Sequence, residues 1–514
     1  MIEYPADTVP ALLRRGADGA PAIGAPSIDG ARRPALTHGG LRDLAERTRI
    51  ALNGMGIGRG DRVAMVLPNG PEMAAAFVAV ASGATTAPLN PSYRGEEFEF
   101  YLSDLNAKCL VIAEGMDSPA RQVAAARGIP VVELVAGGAA GDFSLRPVAE
   151  MTGVAAHPGL AQAEDIALVL HTSGTTSRPK IVPLRQVNIT ASAYHIAANL
   201  ALAPDDVCLN IMPLFHIHGL MAATLASLAA GGTVCCTPGF NAFRFFSWFQ
   251  EARPSWYTAV PTMHQALLGL AGRRADVIAR SRLRFIRSSS ASLPPQVMAA
   301  LEESFGVPVL ESYGMTEASH QMASNPLPPR PRFAGSVGVA AGPEVAIMGE
   351  DGVLLPAGEI GEVVIRGRNV TAGYENNPEA NAKGFTNGWF RTGDQGALDA
   401  QGYLRLTGRL KEIIIRGGEK ISPLEVDTVL MDHPAVAQVV TFAVPHSKLG
   451  EEVGAAVVLR EGTTLDERTL RDFAAEHLAP FKVPRHVVFL AEIPKGATGK
   501  LQRIGLAEKL GLTA

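Results

Sequence analysis

An α/β architecture built from two packed sheet systems is predicted by three observations. Short β-rich apolar runs alternate with helical stretches from Asp61 to about Val135, and the same alternation resumes from Ile166 to Pro308. From about Phe333 to Leu406 the pattern changes to frequent glycines and short alternating runs. Strands separated by helices imply parallel sheets, whereas the glycine-punctuated region suits a small β-barrel or antiparallel unit. In order, Val63-Ala-Met-Val-Leu67, Cys109-Leu-Val-Ile112 and Val131-Val-Glu-Leu-Val135 read as strands, with a helix over Glu72 to Ser82. After a Gly/Ala-rich interval near Gly137 to Gly141, strands are expected at Ile166, Val207, Thr233, Trp256, Arg284 and Pro308. Gly361-Glu-Val-Val-Ile-Arg-Gly367 belongs to the antiparallel unit, and a compact α+β portion follows Arg409. There Ser422-Pro-Leu-Glu425 supplies an N-cap, a first-turn proline and a capping-box glutamate, and Thr464-Leu-Asp-Glu467 opens a second helix.

At 514 residues the chain exceeds one ordinary core, so two or more domains are expected. Forty-six basic residues against fifty acidic ones leave a formal charge of −4, which argues against a nucleic-acid or anionic-membrane partner and confines any polyanion site to a local patch. Cys109, Cys208, Cys235 and Cys236 form no C-x-x-C pair, and the neighbours Cys235 and Cys236 are poorly placed for a structural bridge, so a reducing cytoplasm is expected. Neither end reads as an export or peroxisomal signal. The uncharged stretch between Asp206 and Arg244 is broken by Pro213, His216, His218, Gly231, Gly232 and Pro238, so no apolar span reaches roughly twenty residues and the stretch reads as core. Oligomeric state is left open between monomer and homodimer.

The most informative segment is His171-Thr-Ser-Gly-Thr-Thr-Ser-Arg-Pro-Lys180, a loop of hydroxyls, one glycine and two cations after the apolar run Ile166 to Leu170. Hydroxyl and backbone donors can wrap polyphosphate oxygens while Lys180 offsets their repulsion. It is not a Walker A loop, because Pro179 lacks an amide hydrogen and restricts its predecessor. A Ser/Thr/Gly run alone is most often a surface turn. What changes that reading is the ordered series downstream: Glu311-Ser-Tyr-Gly-Met-Thr-Glu317, Trp389-Phe-Arg-Thr-Gly-Asp394, Gly408-Arg-Leu-Lys-Glu-Ile-Ile-Ile-Arg-Gly-Gly-Glu-Lys420 and Pro494-Lys-Gly-Ala-Thr-Gly-Lys500. Together the five motifs resemble the adenylate-forming acyl-CoA synthetase superfamily over essentially the whole chain. The absence of G-x-S-x-G and H-E-x-x-H motifs leaves hydrolase and zinc-protease readings unsupported.

The resemblance implies an N-terminal adenylation domain over residues 1–409, a mobile C-terminal domain over 410–514 and a hinge at Lys411. It further implies that Thr172, Ser173, Gly174, Thr175, Thr176 and Lys180 hold the β- and γ-phosphates of ATP, that Thr316 meets the α-phosphate and that Glu317 binds Mg²⁺. Tyr313 would stack on adenine beside the Ser289 to Ser292 backbone, which includes Ser290 and Ala291. Asp394, assisted by Arg409, would take the ribose hydroxyls, and Lys500 would be the lysine of the adenylation step. Gly417, Gly418 and Lys420 would line the approach of coenzyme A in a second pose. The chemistry is consistent with these residue types: a carboxylic acid is already ionised near neutral pH, so the site must position it and neutralise charge rather than supply a base.

The acid pocket is expected among Pro213-Leu-Phe-His-Ile-His-Gly219, Arg287-Ser-Ser-Ser-Ala-Ser-Leu293 and a helix opened by Thr316 that carries His320. These stretches are polar where a fatty-acid tunnel would be apolar, which favours a small hydrophilic acid. A blander account has His216 as a gate, His218 packed inside and the serines satisfying turns. The segments at 171–180, 256–262, 284–288 and 311–328 look like the oxalate:CoA ligase branch, which implies that His216, Ser290 and His320 grip the acid. Malonate or another short acid, and an enzyme that loads a carrier protein, stand as alternatives. Ile181 follows Lys180 where relatives usually carry glycine.

Overall fold

In the computed structural model, which describes residues 4–27, 30–172, 179–496 and 500–512, the alternation of single strands decides the layering. Within Arg62–Val66, Val63 and Met65 join a central core while Ala64 and Val66 face an outer one. Within Trp256–Ala259, Trp256 joins the same central core and Tyr257 faces a different outer one. Side chains on a strand alternate faces, so two sheets that are apolar on both faces must each be covered twice. The outcome is five layers. Helices Gly95–Leu105 and Pro119–Ala126 cover one sheet, helices Ala242–Ala252, Pro261–Ala271 and Pro295–Phe305 cover the other, and helices Pro71–Ala81 and Gln186–Asn199 lie between them.

The middle layer explains its own sequence. Every residue of Pro71–Ala81 except Glu72 is buried, and its alanines allow close approach of a sheet on either side. A helix apolar on all faces is the kind that a protein sandwiches rather than exposes. The seven-stranded sheet runs Phe143–Pro147, Val131–Ala136, Cys109–Ala113, Arg62–Val66, Thr85–Pro88, Ile166–His171, Ile181–Arg185. In the nine-stranded sheet the strands Thr233–Cys236, Val207–Asn210, Trp256–Ala259, Phe285–Ser288 and Val309–Met315 are parallel neighbours. Their carboxyl ends therefore share one edge, which is where open α/β sheets bind ligands. The segments after three of these strands, Ile211–His218, Ser289–Ser292 and Thr316–Ala318, meet along that edge.

The antiparallel unit is a five-stranded sheet in which the long strand Trp389–Leu398 pairs with Gly361–Arg366, Phe385–Thr386 and Leu404–Arg409, while Glu344–Met348 extends the far side. A separate five-stranded sheet follows, with Glu419–Ile421, Ile414–Arg416, Gly450–Leu459 and Val436–His446 in order and His486–Phe489 parallel to Gly450–Leu459. Ser422 caps helix Pro423–Met431 by accepting from the Glu425 amide, and Asp466 caps Glu467–His477. This last portion has its own apolar core and meets the rest through polar contacts: Gln265 with Ala437 and Gln438 at 3.4 Å, Gln296 with Asp432, and Lys420 with Glu350 at 3.3 Å. Sparse polar interfaces of this kind permit relative motion. Among the described residues no helix is long and apolar enough to cross a membrane.

Candidate active site

Backbone pairing pins both ends of the hydroxyl-rich loop. The Thr172 amide donates to the Lys180 carbonyl at 2.9 Å, and the Lys180 amide donates to the Thr172 hydroxyl at 3.1 Å. Ser173, Gly174, Thr175 and Thr176 lie outside the described residues. The Lys180 ammonium stands 4.5 Å from the centroid of the Tyr374 ring, whose hydroxyl donates to Glu317 Oε1 at 2.8 Å. Burial raises the Glu317 carboxyl above its ordinary range, and the Tyr374 hydrogen bond and the Arg409 and Lys180 charges partly oppose that. Tyr374 thus joins the loop to the carboxylate, a role for which nothing near it in the sequence gave a signal. Glu317 is the carboxylate that faces the loop, and among the described residues no group of three or more His, Cys, Asp or Glu side chains could hold a metal ion. A single carboxylate is nonetheless the donor set that suits Mg²⁺ carried by phosphates, since that ion keeps most of its water and substrate oxygens.

On the neighbouring side, Asp394 and Arg409 are direct cross-strand partners, with Arg409 Nε 3.3 Å from Asp394 Oδ1. Tyr313, buried in the small sheet's core, donates its hydroxyl to Asp394 Oδ2 at 2.5 Å. Burial raises the Asp394 carboxyl, with the Arg409 charge pulling the other way. A carboxylate offers about four acceptor positions, so two filled ones leave room for a diol. Thr316 opens only the short 3-10 turn Thr316–Ala318 and not the expected helix, because Ser319 and His320 adopt positive φ and His320 begins the strand His320–Ser324. Ser290 stands half-buried next to exposed Ala291.

Ser290, Ser319 and His320 are held at φ of 74°, 50° and 100°, in the left-handed region that non-glycine residues avoid. Such conformations persist only where the surroundings enforce them, and they cluster at binding sites. Gly314 shows one cause: a Cβ there would stand 1.8 Å from the His320 carbonyl oxygen. His320 stacks on His218, with ring centroids 4.9 Å apart, and its buried Nε2 has no partner among the described residues. His218 contacts the Ser290 hydroxyl through Nδ1 at 3.0 Å and the Thr258 hydroxyl through Nε2 at 2.6 Å. The His218 amide donates to His216 Nδ1 at 3.3 Å, which leaves the His216 proton on Nε2. Burial lowers the imidazole of His216 to about 3 and those of His218 and His320 well below the ordinary value, so all three are neutral. The helix that follows, His218–Leu225, has π geometry, a form often found at functional sites.

The tail brings the last component. Gly496 donates to the Lys500 carbonyl at 2.8 Å, and Lys495 and Leu501 pair as an isolated antiparallel bridge. The Lys500 charge acts on His216, His218 and His320, and the Asp394 and Glu317 charges act on Lys500. Burial, with help from the Arg409 charge, lowers its ammonium to about 8, and Asp394 and Glu317 hold it from falling further. Lys411 sits exposed in the turn where the Glu412 and Ile413 amides donate to Arg409. Gly417 and Gly418 form an exposed hairpin tip, and Lys420 pairs with Glu350, so this pose does not bring those three residues to the site.

Sequence reasoning did not single out Thr258, Gln321 or Tyr374, and it treated Arg287 only as part of a lining stretch. A basic residue inside a buried parallel strand was the available signal for Arg287. The arrangement as a whole pairs buried neutral histidines with Ser290 and Thr258, and separately pairs Asp394 with Arg409 and Glu317 with Tyr374, while the Lys500 charge bears on both sets. Comparison with known proteins identifies the family. An oxalate–CoA ligase from Arabidopsis thaliana is 47% identical over 508 residues, covering 97% of each chain. One from Saccharomyces cerevisiae is 42% identical over 475 residues, covering 88% of this chain and 87% of that one. A crystal structure of ATP-bound MatB from Rhodopseudomonas palustris superposes with a TM-score of 0.86 at 30% identity, covering 98% of each chain. Residues 425–500 match the AMP-binding enzyme C-terminal domain, and residues 15–375 match the AMP-binding enzyme family, to which this chain belongs.

Proposed function

We propose that this protein is an ATP- and Mg²⁺-dependent acid:CoA ligase that joins oxalate to AMP and then transfers the oxalyl group to coenzyme A. The observation that carries the reading is the position of Lys500, whose charge reaches both the histidines of the acid pocket and the carboxylates Asp394 and Glu317. A carboxylate attacking phosphorus meets like charge, and a cation at the junction lowers that barrier most when it is shielded from water. The similarity to oxalate–CoA ligases supports the choice of acid.

In this scheme Thr172, Lys180 and the intervening loop receive the β- and γ-phosphates, Thr316 meets the α-phosphate, and Asp394 with Arg409 takes the ribose. The adenine lies between Tyr313 and the Ser289 to Ser292 backbone, Ala291 included. Glu317 would hold Mg²⁺, which when bound would supply charge neutralisation to the pyrophosphate oxygens. His216 Nε2–H, the Ser290 hydroxyl and His320 grip the acid. The acid's oxygen then bonds to the α-phosphorus as the bond to the β-phosphate oxygen breaks. For the second step the unit over 410–514 turns about Lys411, which withdraws Lys500 and presents Gly417, Gly418 and Lys420 to the pantetheine arm. The thiol attacks the acyl carbon, AMP leaves, and the thiol proton passes to solvent. The four cysteines are free and buried, which agrees with a cytoplasmic setting.

The test is a panel of oxalate, malonate, acetate and a long-chain acid with ATP and coenzyme A, reading AMP. Highest kcat/KM for oxalate is expected; preference for the long apolar chain overturns the assignment. His320→Ala is expected to lower oxalate kcat/KM by about 100-fold while leaving the Kd for ATP within about twofold.

A further inference from the structure

Arg287 is buried in strand Phe285–Ser288, on the face shared with Phe285, and among the described residues no carboxylate pairs with it. A guanidinium without a counter-ion is costly to bury, and it can only donate hydrogen bonds. Its partners reveal an order. Gln321 Nε2 donates to the Ala341 carbonyl at 3.0 Å, which turns Gln321 Oε1 towards Arg287 Nη2 at 3.1 Å. Arg287 Nη1 stands 3.4 Å from the Thr258 hydroxyl and 3.3 Å from His218 Nε2. Because Arg287 cannot accept, His218 Nε2 must be the bare nitrogen, taking the Thr258 hydroxyl hydrogen at 2.6 Å. The His218 proton then sits on Nδ1 and donates to the Ser290 oxygen at 3.0 Å. The Ser290 hydroxyl hydrogen is thereby turned outward.

We infer that Arg287 is a positioning residue: it polarises a one-way relay through Thr258 and His218 so that Ser290 donates to the second carboxylate of a short dicarboxylic acid. The uncompensated guanidinium behind the relay adds a field that favours a second negative group in the pocket over a neutral one. This rests on the reading of the protein as an oxalate ligase. The relay is a specificity device, and it leaves ATP recognition alone.

The experiment measures AMP formation with oxalate for wild type, Arg287→Met, Arg287→Lys, Ser290→Ala and the double variant Arg287→Met/Ser290→Ala. Arg287→Met is expected to lower oxalate kcat/KM about 10- to 100-fold, chiefly through KM, with the KM for ATP within about twofold. Arg287→Lys, which keeps a donor-only cation, recovers a part of that loss. The double variant falls no more than about twofold below Ser290→Ala alone, because residues acting as one unit are not additive. Additive losses, an unchanged oxalate KM in Arg287→Met, or ATP and oxalate KM rising together overturn the relay while leaving the ligase reading intact. Should Arg287→Met not fold, Thr258→Val, which removes the middle hydroxyl, is expected to show the same split between oxalate and ATP, and its failure to do so overturns the relay equally. A wild type inactive on oxalate overturns both readings.

Discussion

The wall carrying Arg287, His218 and His320 and the tail segment carrying Lys500 act on one another electrostatically, yet they are held in opposite ways. Arg287, His218 and His320 are buried in the core of the molecule, Arg287 hydrogen-bonded to His218 and His320 stacked on His218 from a strained backbone. Lys500 arrives on a short turn of a unit that touches the rest through scattered polar contacts. Groups that choose the acid must not move, since an ångström of play would admit other acids. In the proposed scheme the group that neutralises the phosphate leaves so that the thiol can take its place. That scheme divides rigidity and mobility between the two portions of the chain according to which half-reaction each serves.

Removing the mobile charge offers the sharpest way to break this division. Lys500→Ala is expected to slow the adenylate-forming step by about 100- to 1,000-fold while leaving thioester formation from supplied oxalyl adenylate within about tenfold. Rapid-quench measurement of each half-reaction distinguishes them, and equal losses would show that Lys500 serves both poses. The next effect is on pH. Since the ammonium titrates near 8 in this pose and only its charged form neutralises phosphate, adenylation should decline as pH rises through about 8. Lys500→Arg should move that decline to higher pH, as arginine stays charged; a rate profile of the first step from pH 6 to 10 checks it.

The fixed side can be probed beneath the Ser289 to Ser292 turn. Glu311 Oε1 accepts from the Leu293 amide at 2.8 Å, and burial raises the carboxyl to about 8. A folded-state pKa above the ordinary 4.5 contributes stability that is complete below that value and is lost as pH rises towards 8. Glu311→Gln, which resembles the protonated form, should therefore flatten the fall of Tm between pH 5 and 8. A parallel pair of curves would mean that the carboxyl ionises freely in the fold. The smallest effect is expected at the exposed pair Lys420 and Glu350: Glu350→Ala should alter the adenylation rate by less than about threefold, because such pairs contribute under about 1 kcal/mol. A tenfold change would show that this single contact fixes the closed pose.

Much of this was legible in the chain because strand alternation and turn residues act locally. Val63 to Leu67 and the carboxyl-terminal edge at Ser289 follow from period and punctuation alone, and Asp394 and Arg409 face each other because their strands pair in register. Tyr374 was hidden because its link to Glu317 depends on a fold-wide meeting of segments 57 residues apart. Arg287 was hidden for a different reason: a strand buried on both faces tolerates a charge only where partners from three other segments converge, and no one segment announces that. Gly417, Gly418 and Lys420 were legible as a motif, but here they form an exposed hairpin tip away from the histidine cluster, and only the proposed scheme gives them a part in the reaction.

Gly314 links the histidine wall to the strand that reaches Asp394. Its missing side chain accommodates the His320 carbonyl at a separation that no other residue allows, and it sits between Tyr313, next to Asp394, and Thr316 at the turn. Any lineage that trades oxalate for a bulkier substrate is consequently obliged to keep residue 314 bare. Selectivity can be rewritten at the rim, but the backbone crossing at residue 314 is closed to any side chain.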